Sequence, residues 1–252
     1  MQTWGLTDPG NIRQQNQDSY AIVPFARDRV LMIVCDGMGG AKSGNVASSL
    51  AVEVFTGEVR RTQKAGMTPE KAAAMLRSAL ELANRAVYEQ SQLSEDFTGM
   101  GTTLVAAFLS RDLAVIINVG DSRAYLIDRD GAMQITRDHS FVQYLVDIGK
   151  LTPEEARKSS KKNIITRAVG VDREVSVDVS VIEKKQYADK TLLLCSDGLS
   201  NYIDAPVLAP LRREHPDCAD FVKTLIDEAN RAGGSDNITA VAVELDKPEE
   251  EV

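Results

Sequence analysis

Apolar and polar positions alternate along this chain in two distinct rhythms. Short, nearly unbroken apolar runs predict buried strands at Val30 to Cys35, Thr103 to Phe108, Leu113 to Val119, Arg123 to Ile127, Thr191 to Cys195 and Ile238 to Leu245. A half-buried strand is predicted where Val175, Val177, Val179 and Val181 alternate with Ser176, Asp178 and Ser180. Ser110-Arg111-Asp112 and Asp128-Arg129-Asp130-Gly131 read as tight turns, and connections this short favour antiparallel pairing. The second rhythm is helical. Val46, Ala47, Leu50, Ala51, Val54 and Phe55 form one apolar stripe. Thr68-Pro69-Glu70 starts a helix whose buried face runs from Ala72 through Val87. Phe221 to Ala229 forms a third helix, stopped at Gly233-Gly234. Thr152-Pro153-Glu154-Glu155 opens a short fourth, with Glu155 placed to close a capping box.

Strands that face strands, with amphipathic helices outside them, predict a layered α+β sandwich. With 252 residues, no internal repeat and no low-complexity linker, the chain reads as a single domain, 1–252, with a solvated tail at 246–252. Hydrophobic residues make up 43% and charged residues 26%, the balance of an ordinary globular protein. Lys plus Arg number 29 against 37 Asp plus Glu, for a net charge of -8, which argues against nucleic acid as a partner. No apolar run reaches membrane-spanning length, and the first residues lack the basic flank and apolar centre of a signal peptide. Three cysteines, Cys35, Cys195 and Cys218, form no Cys-x-x-Cys pair and fit a reducing cytoplasm; with only two histidines, a Cys/His zinc site is not expected.

The chemistry lies in where the aspartates fall. Asp36, Asp121 and Asp197 each follow an apolar run, whereas Asp18 and Asp236 each precede one. Strand ends hold carboxylates rigidly yet near solvent, and neighbouring glycines let the backbone turn and bring its carbonyls close to a ligand. Several carboxylates in one cleft repel one another unless protons or cations are present. Oxygen-only ligands suit Mg²⁺ or Mn²⁺. Two such ions about 3.5–4 Å apart activate a water and clamp a phosphoryl group. A single Asp beside Gly is as readily a turn residue; five with this placement point to metal-assisted phosphoester hydrolysis.

A series of motifs resembles the type 2C, metal-dependent protein phosphatases in their bacterial form. They are Arg13-Gln14-Gln15-Asn16-Gln17-Asp18, Val34-Cys35-Asp36-Gly37-Met38-Gly39-Gly40, Gly101-Thr102-Thr103, Val119-Gly120-Asp121-Ser122-Arg123-Ala124-Tyr125 and Thr136-Arg137-Asp138-His139-Ser140. Thr166-Arg167-Ala168-Val169-Gly170, Leu194-Cys195-Ser196-Asp197-Gly198-Leu199 and Gly234-Ser235-Asp236-Asn237-Ile238-Thr239 complete the series, in order over nearly the whole chain. The resemblance implies a four-layer α-β-β-α sandwich of two antiparallel sheets, with a flap at about 141–170. It implies hydrolysis of phosphoserine and phosphothreonine in proteins by a metal-bridging hydroxide, using two Mn²⁺ or Mg²⁺ ions and a third, weaker one.

In that scheme Asp36 bridges the ions, Asp197 and Asp236 complete the first, and the Gly37 carbonyl and Asp18 serve the second. Asp121 joins Asp197 at the third. Arg13 grips the substrate phosphate, for which a guanidinium fork is suited. Asn237 helps order the metal-water shell, and His139 supports the site from behind. Short bacterial members of this family reverse phosphorylation by Ser/Thr kinases, so phosphorylated proteins and such a kinase are the implied partners of a cytoplasmic monomer.

Two departures stand out. Met38 and Ala41 occupy places where many relatives carry a histidine proposed as the general acid, and Gln17 stands where many have Glu. Within the flap, the basic stretch Arg157 to Lys162 reads as a solvated helix end rather than a phosphopeptide contact. Cys35 and Cys195 read as small core residues. Rival readings are a non-catalytic pseudophosphatase that only binds a partner, which predicts a lost carboxylate or a lost Arg13, and a two-metal phosphodiesterase, which predicts a basic groove. A phosphatase for anti-sigma-factor antagonists ordinarily carries an added sensor domain, for which this chain has no room.

Overall fold

The apolar strand runs become the two middle layers of the molecule and the amphipathic stripes become its outer layers. The computed structural model describes residues 1–26, 29–40, 43–110 and 113–245. Part of the turn at Ser110-Arg111-Asp112, together with Ala41 and the tail from 246, lies outside the described residues. The chain begins with β1 (Gln2–Asp8), β2 (Asp18–Ala26), β3 (Arg29–Met38), α1 (Gly44–Thr62) and α2 (Pro69–Ser91). There follow β4 (Gly101–Thr102), β5 (Leu104–Leu109), β6 (Leu113–Val119), β7 (Arg123–Ile127) and β8 (Ala132–Gln134). Next come α3 (Phe141–Asp147), α4 (Pro153–Lys158), β9 (Asp178–Glu183), α5 (Lys184–Tyr187) and β10 (Thr191–Cys195). The described chain closes with α6 (Asp197–Ser200), α7 (Ala205–Glu214), α8 (Cys218–Arg231) and β11 (Ile238–Glu244).

One sheet has the order β1-β11-β10-β7-β8; the other runs β2-β3-β5-β6-β9, with β4 paired to β3. The neighbouring strands pair antiparallel. Helices α1 and α2 cover the outer face of the second sheet, and α7 and α8 cover that of the first. This is the α-β-β-α sandwich.

Alternation along each strand divides the core into three layers. In β3, Leu31, Ile33 and Cys35 pack outward with Phe55 and Leu76 of the helices. Met32 and Val34 point inward, where they meet Leu194 and Val241 of the facing sheet. On the far side, Leu193 and Ala242 pack with Phe221 and Leu225 of α8. Each large apolar side chain buried in this way contributes roughly 1.5–3 kcal/mol.

Thr68 caps α2 by accepting the Lys71 N–H, and Thr152 and Glu155 form the reciprocal capping box of α4. The valine alternation is corrected at its start: β9 begins only at Asp178. Its partner β6 reaches the Asn118–Asp178 pair and ends at Val119. Gly120 then turns the chain away with φ +103°, so Val175 and Val177 pack on the outer core with no backbone to pair with.

Candidate active site

The inward rows turn from apolar to polar at one end of the sandwich. In β3 the row Met32, Val34 continues into Asp36, and in β2 the row Ile22, Tyr20 continues into Asp18, which is the cross-strand partner of Asp36. The facing sheet ends in the same way: after Leu194 the inward position is Ser196, and before Val241 it is Thr239. Asp18 joins the two sheets. Its Oδ2 accepts from Ser196 Oγ at 2.7 Å and from Thr239 Oγ1 at 2.6 Å. Its Oδ1 is buried with no hydrogen-bond partner among the described residues.

The backbone of Asp36 is fixed by the threonine pair after β4. Its N–H donates to Thr103 Oγ1 at 2.9 Å, and its carbonyl accepts from Thr103 N and Thr102 Oγ1, each at 2.9 Å. Gly37 can only be glycine, because a Cβ there would lie 2.1 Å from the Gly44 carbonyl oxygen. Asp197 opens α6 directly after β10, and its carboxyl meets that of Asp36 within hydrogen-bonding reach. Asp121 follows the Gly120 turn and is buried. Asp236 precedes β11; its Oδ1 accepts its neighbour's N–H, and its Oδ2 accepts Arg13 Nη2 at 2.8 Å.

Five carboxylates therefore converge, and their electrostatics record the crowding. Burial, reinforced by the neighbouring carboxylates, raises Asp36, Asp121 and Asp197 above the ordinary range. Asp18 is pushed up to about 7, chiefly by burial and against its two hydroxyl donors. Arg13, with its guanidinium on Asp236, is held even more firmly in its charged form.

A cavity of about 240 Å³ is lined by Asp36, Gly37, Asp121, Asp197 and Asp236, with Arg13 and Asn237 among its walls. It shares Asp121 and Asp197 with a groove of about 400 Å³ running between the α3–α4 flap and the end of α6. In the flap, Arg157 pairs with Asp204 at 3.1 Å, Lys161 lies over the Phe141 ring, and Lys162 lines the groove.

Of the remaining two residues singled out from the sequence, Asn237 lines the cavity and His139 stands behind it. His139 is buried and turned away from it: Nδ1 accepts the Gly120 N–H at 3.1 Å, and Nε2 lies 3.2 Å from Asp178. Burial lowers its pKa, which keeps the ring neutral as the Gly120 bond requires. The Asn237 amide is spent on the backbone of residues 9–17. Residues not anticipated from sequence are Ser196 and Thr239, which hold Asp18, and Thr103, which holds Asp36. Cys35 and Cys195 are core residues whose thiols burial keeps protonated, Cys195 being pushed up to about 12.

The arrangement suits a hard cation. The converging donors are carboxylate and carbonyl oxygens, one of them an unpartnered buried oxygen, and mutual repulsion raises the cost of ionising the carboxylates, a cost that a cation relieves. Among the described residues no three His, Cys, Asp or Glu side chains are already set around one point. Arg13 holds Asp236, and the Ser196 and Thr239 hydroxyls hold Asp18.

Comparison with known proteins places this arrangement. The family model described as protein phosphatase 2C matches residues 12–241. The serine/threonine phosphatase Stp of Listeria monocytogenes is 38% identical over 240 residues, covering 95% of this chain and 94% of that protein. The crystal structure of Stp1 from Staphylococcus aureus superposes with a TM-score of 0.90 at 34% identity, covering 97% of this chain and 94% of that one. The catalytic domain of PstP, crystallised in complex with two manganese ions, superposes with a TM-score of 0.82 at 34% identity over 97% and 98% of the two chains. With its fold, its motifs and these relatives in agreement, the chain belongs to the protein phosphatase 2C family and is a protein serine/threonine phosphatase.

Proposed function

We propose that this phosphatase is metal-dependent and that its metal ligands are Asp18, Asp36, the Gly37 carbonyl, Asp121, Asp197 and Asp236. The observation that carries this reading is the shared cavity: four buried or half-buried carboxylates with raised or arginine-balanced charge, and Arg13 at their edge. Bound Mn²⁺ or Mg²⁺, two ions and a weaker third, would supply an attacking water activated at neutral pH and positive charge to offset the phosphate. Asp36, cross-strand from Asp18 and beside Asp197, is the carboxylate we assign to both ions. Arg13 turns its guanidinium from Asp236 to the substrate phosphate, orienting phosphorus for in-line attack. Met38 and Ala41 stand where a histidine would serve as general acid, so we assign the protonation of the departing seryl or threonyl oxygen to a water molecule.

The full set of carboxylates together with Arg13 supports a catalytic member rather than a binding-only one. The manganese ions of PstP favour Mn²⁺ as the first ion to test. We further read the chain as one domain acting as a monomer in the cytoplasm, on proteins phosphorylated by a Ser/Thr kinase. Among the described residues no helix is long and apolar enough to cross a membrane.

The test is calorimetric titration of Mn²⁺ into EDTA-stripped protein. Asp36→Asn, Asp197→Asn and Asp236→Asn should each weaken binding at least tenfold, a single charged ligand being worth about 1.4 kcal/mol or more. Wild-type affinity in all three variants would remove the ligand assignment.

A further inference from the structure

Arg13 sits in a loop, residues 9–17, that carries no regular structure and buries little of its own: Ile12 is 69% exposed, and Asn11, Arg13, Gln14 and Gln15 are exposed as well. Such a segment is not held by a core, so something else must restrict it if Arg13 is to stay at the cavity. Asn237 does this. Its Nδ2 donates to the Pro9 carbonyl at 3.0 Å and to the Gln15 carbonyl at 2.9 Å, while its Oδ1 accepts the Gln17 N–H at 2.8 Å. The side chain is only 5% exposed, so these bonds form away from competing water. Both ends of the loop are thereby tied to one amide, with Arg13 between them. The neighbouring segment adds a second fastening. Asn11 N–H donates to Gly234 O at 2.7 Å, and Asn11 Nδ2 donates to Asn230 O at 2.7 Å and Gly233 O at 3.1 Å. Gly10, at φ +77°, lies so close that a Cβ would meet the Asp236 carbonyl oxygen at 2.2 Å.

We propose that Asn237 is a positioning residue for Arg13, clamping the 9–17 loop to the turn that carries Asp236, so that the guanidinium is presented ready to take the substrate phosphate. Resting on the reading of Arg13 as the phosphate ligand, the proposal gives Asn237 a part in phosphate capture, where an amide turned toward the ions would act on metal affinity.

The experiment is a double-mutant cycle on Arg13→Ala and Asn237→Ala, reading KM for a phosphothreonine peptide and inhibition by inorganic phosphate at saturating Mn²⁺. Asn237→Ala should raise both constants at least tenfold, each of its three hydrogen bonds being worth a factor of roughly two to ten. In the Arg13→Ala background the same change should add less than twofold, because the group it positions is gone. Mn²⁺ titration of Asn237→Ala should stay within about threefold of wild type, and hydrogen exchange at the Asn11 and Gln17 amides should accelerate. Asn11→Ala, at an exposed position, is the milder companion should Asn237→Ala fold poorly, and should shift KM in the same direction. Effects that multiply across the cycle, or a loss of Mn²⁺ affinity as large as the change in KM, would overturn the proposal. Unchanged KM and phosphate inhibition in Arg13→Ala alone would instead retire the reading of Arg13, and with it the purpose of the clamp, even with the exchange result intact.

Discussion

Asp18 and Asp36 face each other across β2 and β3, and three more carboxylates, Asp121, Asp197 and Asp236, close in from other strand ends. Their raised pKa values have a consequence for the metal-free protein. A carboxyl whose folded pKa lies above its unfolded value costs nothing while both states are protonated, and costs progressively more as pH rises through the folded value. For Asp18 that value is about 7. EDTA-treated protein should therefore melt at a lower temperature at pH 8 than at pH 5.5, by an amount corresponding to a few kcal/mol, since one pKa unit is about 1.4 kcal/mol. Asp36→Asn should flatten this slope and melt higher than wild type at pH 8, while its phosphatase activity falls by orders of magnitude. Added Mn²⁺ should reverse the slope in the wild type, because cation binding requires the ionised carboxylates. Thermal unfolding across pH, with and without metal, reads all three; a wild-type melting temperature that rises with pH in EDTA would contradict the account of the repulsion.

At the scale of elements, the site depends on two turns that nearly touch. Gly198, beside Asp197 at the start of α6, has no room for a side chain: a Cβ would lie 1.9 Å from the Asn237 carbonyl oxygen. Gly198→Ala should destabilise the fold by about 1–3 kcal/mol and weaken Mn²⁺ binding by forcing the Asp197 and Asp236 turns apart; calorimetry and a melting curve on the same sample check both. Thr152→Ala removes the α4 capping box at a cost of about 1 kcal/mol, a loss that hydrogen exchange should find within the flap and not in the sheets. The elements differ in how plainly the sequence announced them. Strands β6, β7 and β10 were legible to their ends, because a strand buried on both faces has no polar position to blur it. Helix α7, which contains Pro206 and Pro210, was not anticipated. Pro206 falls in the first turn, where no N–H bond is lost, and the burial of Leu208 and Ala209 keeps the helix despite Pro210. Strand β1 was missed because none of its residues is fully buried and its partner β11 is distant in sequence. The aspartates were legible because each sits at the end of an apolar run. Ser196, Thr239 and Thr103 were not, since a hydroxyl at a strand end signals nothing until the fold sets a partner beside it: the Asp18 carboxylate of the opposite sheet for Ser196 and Thr239, and the Asp36 N–H for Thr103.

For the molecule as a whole, the sandwich gathers strand ends from both sheets and leaves the interior at that end polar. The apolar inner rows fix the register, and register decides that Asp36 faces Asp18 and the opposing sheet rather than the helices. The cavity adjoins the groove under the flap, the two sharing Asp121 and Asp197, so the carboxylate cluster lies next to the surface formed by α3, α4 and α6. The net charge of -8 includes the carboxylates of this site, so loading with divalent cations changes the field that a phosphoprotein meets. The most direct test of the account is phosphate release from a phosphothreonine peptide by EDTA-treated protein, with and without Mn²⁺, in wild type and Asp236→Ala. The account predicts release only with metal, and its loss in the variant. Undiminished release in EDTA, or from Asp236→Ala, would contradict it.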